Sequence, residues 1–329
     1  MSTVSIVIPT RSRFDLLDAC LASLMEARSA LDEDFELIVV NDGNPESPAP
    51  IVAAHDPRGR TIDLPHRVGF SGAVSDGIEA SDGDWVLLLN DDTTLDPSSI
   101  AELLHVARAR SRVGSVTPQL RFAHDPGTIN SAGLVIDDLG VTQDRLLGEP
   151  VTQSEREVTE VFGGSAAAVL YSREMLEEIG GFDRSFYAYL EDADVAWRAR
   201  MRGWSCLYVP GAIVNHHHSA TLQHFSDRKY YLGGRNRVRL LAKNADAALL
   251  RRRWIWMIAY DAAYVVFVAL TERTLAPLRG RVAGLRQWRS YRRAGAPRRR
   301  PIELQRRTGL RGALRRNRVW SRTTAVRNP

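Results

Sequence analysis

The sequence predicts an α/β fold built on a doubly wound, mostly parallel sheet, followed by C-terminal helices and a basic tail. Three observations carry this. Short aliphatic runs alternate with segments of helical apolar spacing through the first 110 residues. In residues 85–89 four apolar residues follow Trp85 without a break, the pattern of a strand buried on both faces. The runs end in polar turns, Pro9-Thr10-Arg11, Asn41-Asp42-Gly43 and Asn90-Asp91-Asp92. Open α/β sheets bind ligands at the carboxyl ends of their strands.

In chain order, residues 4–8 form the first strand, and apolar positions from Phe14 to Leu24 recur at helical spacing. Residues 35–40 form a second strand closed by a turn signal, and residues 61–64 a weak third. Residues 69–80 read as a helix, 85–89 as the fourth strand and 97–109 as another helix. Residues 113–171 are less regular, with strands expected over 113–117, 128–136 and 158–162. A short helix over 173–179 stops at Gly180-Gly181, and one over 191–202 stops at Gly203. Strands follow at 205–209 and 212–214, then a long helix over 226–245. The expected domains are therefore a catalytic unit over 1–225, divided near residue 112, then helices over 226–270, then the tail over 271–329.

The 329 residues, 44% hydrophobic, suffice for one sizeable core or two modest domains. The start Met-Ser-Thr-Val-Ser-Ile lacks a basic segment followed by an apolar one, so a cytoplasmic chain is expected. Cys20 and Cys206 have no metal-type spacing and are expected as buried free thiols. The net charge of +5 hides an asymmetry: residues 271–329 hold eighteen arginines against Glu272 and Glu303, a local +16, which leaves −11 on residues 1–270. An acidic body with a basic tail favours an anionic partner such as a lipid surface. Residues 251–270 place Arg251-Arg252-Arg253 before an apolar run with Trp254, Trp256 and Tyr260, interrupted by Asp261. This fits a membrane-interfacial helix or a core helix docked on the catalytic unit. The tail beyond 270 has little periodicity and is expected to be partly disordered.

The chemistry converges on one sheet edge. Adjacent aspartates where a strand leaves the sheet suit a hard divalent cation, which prefers carboxylate oxygens and can bridge to phosphates. The alternative is an Asx-rich turn capping the next helix. Residues 66–72, His-Arg-Val-Gly-Phe-Ser-Gly, open a helix whose N-terminus can admit a phosphate. Glu191, Asp192 and Asp194 stand in the first turn of a helix, where acids are favoured by its dipole alone.

Four segments of the first half, Val4-Ser5-Ile6-Val7-Ile8-Pro9-Thr10, Val39-Val40-Asn41-Asp42-Gly43, Gly69-Phe70-Ser71-Gly72-Ala73 and Leu88-Leu89-Asn90-Asp91-Asp92-Thr93, have downstream companions. These are Phe162-Gly163-Gly164-Ser165, Gly180-Gly181-Phe182-Asp183, Tyr189-Leu190-Glu191-Asp192-Ala193-Asp194, and Val209-Pro210-Gly211 leading to His216. Together, over residues 3–245, they resemble the family-2 inverting glycosyltransferases of the GT-A fold. The resemblance implies that Pro9, Thr10, Arg11, Asp42, Arg67, Gly69 and Asp91 bind the nucleotide-sugar. It implies that Asp92, with Asp91 and His216, holds a divalent metal, Mg²⁺ or Mn²⁺, and that Asp192 is the general base. Gly163, Gly164, Glu191, Asp194 and Trp197 would line the acceptor side. His217 and His218 are expected at the surface or in a structural role. Similar enzymes often carry Asn at the positions of Arg67 and Asp76. Within the family the arrangement is most similar to bacterial rhamnosyltransferases of cell-wall and O-antigen assembly. That implies dTDP-rhamnose as donor and a polyprenyl-diphosphate-linked saccharide as acceptor, at the inner membrane face; a UDP-sugar or galactofuranose donor is the rival.

Two other classes compete. A nucleotidyltransferase would want a Gly-rich basic loop after the first strand, and Pro9-Thr10-Arg11-Ser12-Arg13 has no glycine. A nucleic-acid-binding protein could use the arginine tail, but the tail has little aromatic interleaving beyond Trp288, Tyr291 and Trp320, so no nucleic-acid partner is expected.

Overall fold

A computed structural model describes residues 4–31, 33–217 and 226–295, with the single positions 302 and 304. The first half contains β1 (Val4–Thr10), α1 (Phe14–Ser29), β2 (Phe35–Asn41), α2 (Ala49–His55), β3 (Arg60–Asp63), α3 (Phe70–Glu79), β4 (Trp85–Leu89), β5 (Thr93–Leu95) and α4 (Ser99–Arg108). Residues 113–216 add β6 (Val113–Phe122), β7 (Asp125–Ser131), β8 (Leu134–Ile136), β9 (Thr142–Asp144), β10 (Thr159–Val161), β11 (Ala168–Ser172), α5 (Arg173–Ile179), α6 (Glu191–Met201) and β12 (Ser205–His216).

The main sheet runs β10-β12-β6-β11-β4-β1-β2-β3. From β4 to β3 every pairing is parallel. Strand β11 enters antiparallel to both β4 and β6, so this side of the sheet is mixed. Side chains of β1 and β4 alternate between two cores. Ile6, Ile8, Leu87 and Leu89 join Leu17, Leu21 and Leu24 of α1 on one face. Val7, Val86 and Leu88 join Val169, Val195 and Trp204 on the other. Burial on both faces is why these strands read as unbroken apolar runs.

Three expectations change in detail. The strand expected over 128–136 breaks at Gly133, which sits at φ +92°, into β7 and β8. The two strands expected at 205–209 and 212–214 are one, β12, carrying a register shift between Val209 and Ile213. Helix α2, with Pro50 in its first turn, has too few apolar positions to stand out.

Residues 135–143 group with the C-terminal segment as a second compact unit. Within it lie α7 (Asp227–Asn244), α8 (Ala247–Thr271), α9 (Ala276–Arg286) and α10 (Trp288–Ala294). Residues 276–294 are thus helical, against the expectation of an irregular tail. The buried positions of α9 are Ala276, Pro277, Gly280, Arg281 and Gly284, so its inner face is small rather than apolar and leaves no hydrophobic period. A Cβ on Gly280 would stand 2.1 Å from the Tyr231 carbonyl oxygen, which shows how closely the α7 and α9 backbones approach. The remainder of the expected disordered tail lies outside the described residues.

Helix α8 is not a core helix of its own unit. It buries Met257 and Val268 and exposes Trp254, Ile255, Trp256, Ile258, Val266, Phe267 and Leu270. Its 25 residues are long and apolar enough to cross a membrane. Both cysteines are buried free thiols, and burial pushes Cys20 up to about 12 and Cys206 to about 11, which makes them inert.

Candidate active site

The parallel register brings Thr10, Asn41 and Asp63 into one row at the carboxyl edge. Pro9 and Thr10 are buried there and Arg11 is half-buried. The Asp42 carboxylate, also buried, accepts from the backbone N–H of Val68 at 2.6 Å and of Gly69 at 3.1 Å. Arg67 Nε lies 3.7 Å from Asp42 Oδ2. Asp42 therefore shapes the loop that opens α3. Gly69 is required in that loop: its φ is +83°, and a Cβ would meet the Tyr187 ring at 2.5 Å.

The two aspartates after β4 do different work. Thr10 Oγ1 donates to Asp91 Oδ2 at 2.6 Å. Burial pushes Asp91 up to about 7, opposed by the hydrogen bonds from Thr10 and the Arg11 backbone. Asp91 thus ties β1 to β4. Asp92 Oδ1 stands 3.2 Å from His216 Nε2, and the Asp92 carbonyl accepts from the His217 N–H at 2.9 Å. The antiparallel pairing of β5 with β12 sets this meeting, with Thr93 opposite His216. His216 Nδ1 is 2.8 Å from Asn130 Oδ1 on β7. The contact with Asn130 orients the ring so that Nε2 faces Asp92.

A carboxylate oxygen and an imidazole nitrogen this close are a donor set that suits a divalent cation. Among the described residues no three acidic, His or Cys side chains form a metal cage. Asp92 and His216 would supply a carboxylate oxygen and an imidazole nitrogen, with phosphate oxygens and water filling the other positions of a Mg²⁺ or Mn²⁺ ion. Asp91, turned to Thr10, is not placed as a third. His218 lies outside the described residues.

Helix α6 opens after an unusual turn. Tyr187, Tyr189 and Leu190 all have positive φ, between 67° and 72°. Such strain in non-glycine residues clusters at functional sites. The Tyr187 carbonyl accepts from the Ser71 N–H at 3.0 Å, which locks this turn to the start of α3. The half-buried Asp192 accepts through Oδ2 from the Ala166 N–H at 3.3 Å and through Oδ1 from its neighbour Ala193. The next carbonyl, Ala167 O, accepts from the Asn90 N–H at 2.9 Å. One residue step therefore links the expected base to the Asn-Asp-Asp turn. Burial raises Asp192, and burial with the Asp192 charge pushes Glu191 up to about 8. A carboxylate so raised is a competent proton acceptor near neutral pH.

Four acceptor-side expectations are relocated. Asp194 has no exposed surface; its Oδ2 accepts from Arg198 Nε at 2.8 Å and lies 2.7 Å from Nη2 in an ion pair. Arg198 also donates to the Ile179 carbonyl, so this pair fixes α6 in the core. Trp197 is buried edge-on to Phe162, with ring centroids 6.2 Å apart. Gly163 and Gly164 are buried too. A Cβ on Gly163 would meet Ala196 at 2.3 Å, and one on Gly164 would meet Val169 at 2.5 Å, so both serve packing. The Asp76 position is explained as well, since Asp76 pairs with Arg184 at 2.6 Å.

Sequence reasoning missed Asn130 and Tyr187. Asn130 sits in a strand without pattern and carried no signal. Tyr187 stands two residues before the Tyr189-Leu190-Glu191-Asp192 segment, and its backbone strain is invisible in sequence.

The family model described as "Glycosyl transferase family 2" matches residues 5–180, more than half of the chain. An uncharacterized protein, y4gI, of Sinorhizobium fredii is 29% identical over 81% of this chain and 29% of its own length. The O-antigen biosynthesis protein RfbC of Myxococcus xanthus is 28% identical over 66% of this chain and 17% of its own. The chain thus spans under a third of these two relatives. The N-acetylglucosaminyl-diphospho-decaprenol L-rhamnosyltransferase of Mycobacterium tuberculosis is 27% identical over 64% of this chain and 75% of its own. Among solved structures, GalNAc-T7 with UDP, GalNAc and Mn²⁺ aligns with TM-score 0.58 at 15% identity, over 74% of this chain and 48% of that one. The mannosyltransferase PcManGT of Pyrobaculum calidifontis, in complex with GDP-Man and Mn²⁺, aligns with TM-score 0.53 at 14% identity, over 88% and 83%. With its strand-edge aspartates, its sheet order and this family match, the chain belongs to glycosyl transferase family 2 and has the GT-A fold.

Proposed function

We infer that this chain is an inverting, divalent-metal-dependent glycosyltransferase. It moves a sugar from a nucleotide-sugar, with dTDP-rhamnose as the leading donor, to a saccharide carried on a polyprenyl diphosphate. It works at the cytoplasmic face of a membrane, in cell-envelope polysaccharide synthesis. The observation that carries the reading is the link Asp192–Ala166–Ala167–Asn90, which holds a raised carboxylate beside the Asp91-Asp92 turn. The donor assignment leans on the M. tuberculosis relative, whose name states a rhamnosyl transfer onto a decaprenyl diphosphate-linked sugar.

Each residue then has a task. Arg11, whose Nε has no protein partner among the described residues, and the N-terminus of α3 bind the diphosphate. Asp42 holds the Arg67–Gly69 loop against the nucleotide. Asp92 and His216 hold the metal, which when bound offsets the charge of the leaving diphosphate. Asp192 takes the proton of the acceptor hydroxyl as that oxygen attacks the anomeric carbon opposite the leaving group, which inverts the centre.

The test is binding and hydrolysis of dTDP-, UDP- and GDP-sugars, with and without Mn²⁺ or Mg²⁺, for wild type and Asp92→Ala. Metal-dependent binding of a dTDP-sugar, lost in the variant, is expected. Metal-independent binding would return Asp91 and Asp92 to a structural role, and no binding of any nucleotide-sugar would overturn the reading.

A further inference from the structure

We propose that α8 is an in-plane membrane anchor: its outer face lies in the interface of an anionic bilayer without crossing it. This deepens the membrane location inferred above, and its test reads lipid binding rather than sugar transfer, so the two can fail separately.

The argument starts from which way α8 faces. Its inward positions are Met257, Tyr260, Asp261, Tyr264 and Val268, spaced three or four residues apart as one helical face requires. Asp261 Oδ1 accepts from Arg237 of α7 at 2.7 Å and from Arg281 of α9 at 2.8 Å. The same arginines stand over aromatic rings, Arg237 over Tyr260 and Arg281 over Tyr264, each 5.1 Å from the centroid. Arg237 also donates to the carbonyls of Leu139 and Gly140 in this unit. The charge within the apolar run is thus neutralised inside the unit.

The outward positions are the reverse of what water selects. From 254 to 270 every exposed residue is apolar: Trp254, Ile255, Trp256, Ile258, Val266, Phe267 and Leu270, with alanines at 259, 262 and 263. The exposed residues at its ends are polar or charged, Arg251 and Arg252 at one and Thr271, Glu272 and Arg273 at the other. Helix α9 adds exposed Leu278, Val282 and Leu285 on one of its own faces. A paired charge on the inner face and an unbroken apolar outer surface is the arrangement of a helix whose solvent is lipid.

Two facts decide between lying and spanning. The apolar stretch over 254–270, interrupted by Asp261, is about 25 Å long at 1.5 Å per residue, short of the ~30 Å hydrocarbon core. Its inner face is also tied at mid-length to α7, which carries Arg235, Arg237 and Arg239 in its centre and cannot enter hydrocarbon. One face of α8 is therefore available to lipid, not its whole circumference. Charge selects the occupant. Residues 226–295 hold sixteen basic and four acidic residues, a net +12 that repels a second copy and attracts anionic headgroups.

The test is sedimentation of the full chain with phosphatidylcholine vesicles, alone or containing phosphatidylglycerol, for wild type and the double variant Ile255→Glu/Val266→Glu. Both sites are exposed and lie on the outermost line of the helix. Wild type should bind the anionic vesicles, with a blue shift of tryptophan emission, and should be released by alkaline carbonate. The variant should bind at least tenfold more weakly while its nucleotide-sugar binding stays unchanged. Release of wild type by high salt alone would assign the binding to the arginines and overturn the proposal. Resistance to carbonate would overturn the in-plane mode. A dimer in solution that the variant dissociates, without vesicle binding, would give the face to a second copy.

Discussion

The catalytic unit and the C-terminal unit treat a carboxylate in opposite ways. Asp192 sits half-buried among backbone N–H groups and beside another acid, and its proton affinity is raised. Asp261 sits between two guanidinium groups, Arg237 and Arg281, and accepts from both. The first is placed to take a proton; the second joins α7, α8 and α9. The solvent logic is opposite too, because the catalytic unit buries its aliphatics while α8 turns them outward. What a residue does is set by the few groups around it, which composition cannot report.

Four measurements would break or sharpen that contrast. The largest effect belongs to Asp192→Asn, which should lower transfer about 10²–10⁴-fold, the range for loss of a general base, with nucleotide-sugar binding intact. Transfer above a tenth of wild type would move the base to Glu191. Next comes Asp261→Ala, which leaves two mostly buried arginines without their shared partner. It should cost about 2–4 kcal/mol, reduced from the fully buried case because Asp261 is partly exposed. Faster hydrogen exchange over 247–271 with unchanged donor binding checks it, and unchanged exchange would remove the ionic cluster from the account.

Asn130→Ala should weaken Mn²⁺ binding about 10–100-fold, as loss of an outer partner of a histidine ligand does. An Asn130→Asp variant that restores the affinity would separate this orienting role from a packing defect. The smallest effect concerns pH. Glu191 and Asp192 are both raised, so activity should increase with pH as the pair ionises. Glu191 ionises after Asp192, so Glu191→Gln removes the upper titration and should leave a single midpoint no higher than that of wild type. The stability sign runs the other way. The folded chain binds more protons than the unfolded one between the ordinary Glu value of 4.5 and about 8, so Glu191 costs stability as pH rises through that window. A midpoint that shifts up would contradict the coupling.

Much of the fold was legible because both sheet and helix bury apolar residues at fixed periods. Strands β1, β2 and β4 and helices α1, α3 and α6 lie where the spacing places them. Helix α9 was illegible because it packs through glycine and arginine, which leave no hydrophobic period. At the site, Asp91, Asp92 and Asp192 could be picked out as candidates, but their division of labour could not. Asp91 and Asp92 are neighbours in sequence, yet one meets Thr10 and the other His216.

The sequence by itself determined the α/β class, the strand-edge position of the acids and the acidic-body, basic-tail asymmetry, because these depend on local pattern and count. Tertiary structure alone decided which acids are spent on packing, as Asp194 is on Arg198, and which face of α8 meets solvent. The physical reason is that burial and pairing are set by groups distant in sequence. Asn130 and His216 are 86 residues apart, and Asp194 lost its acceptor role to a partner four residues along the same helix.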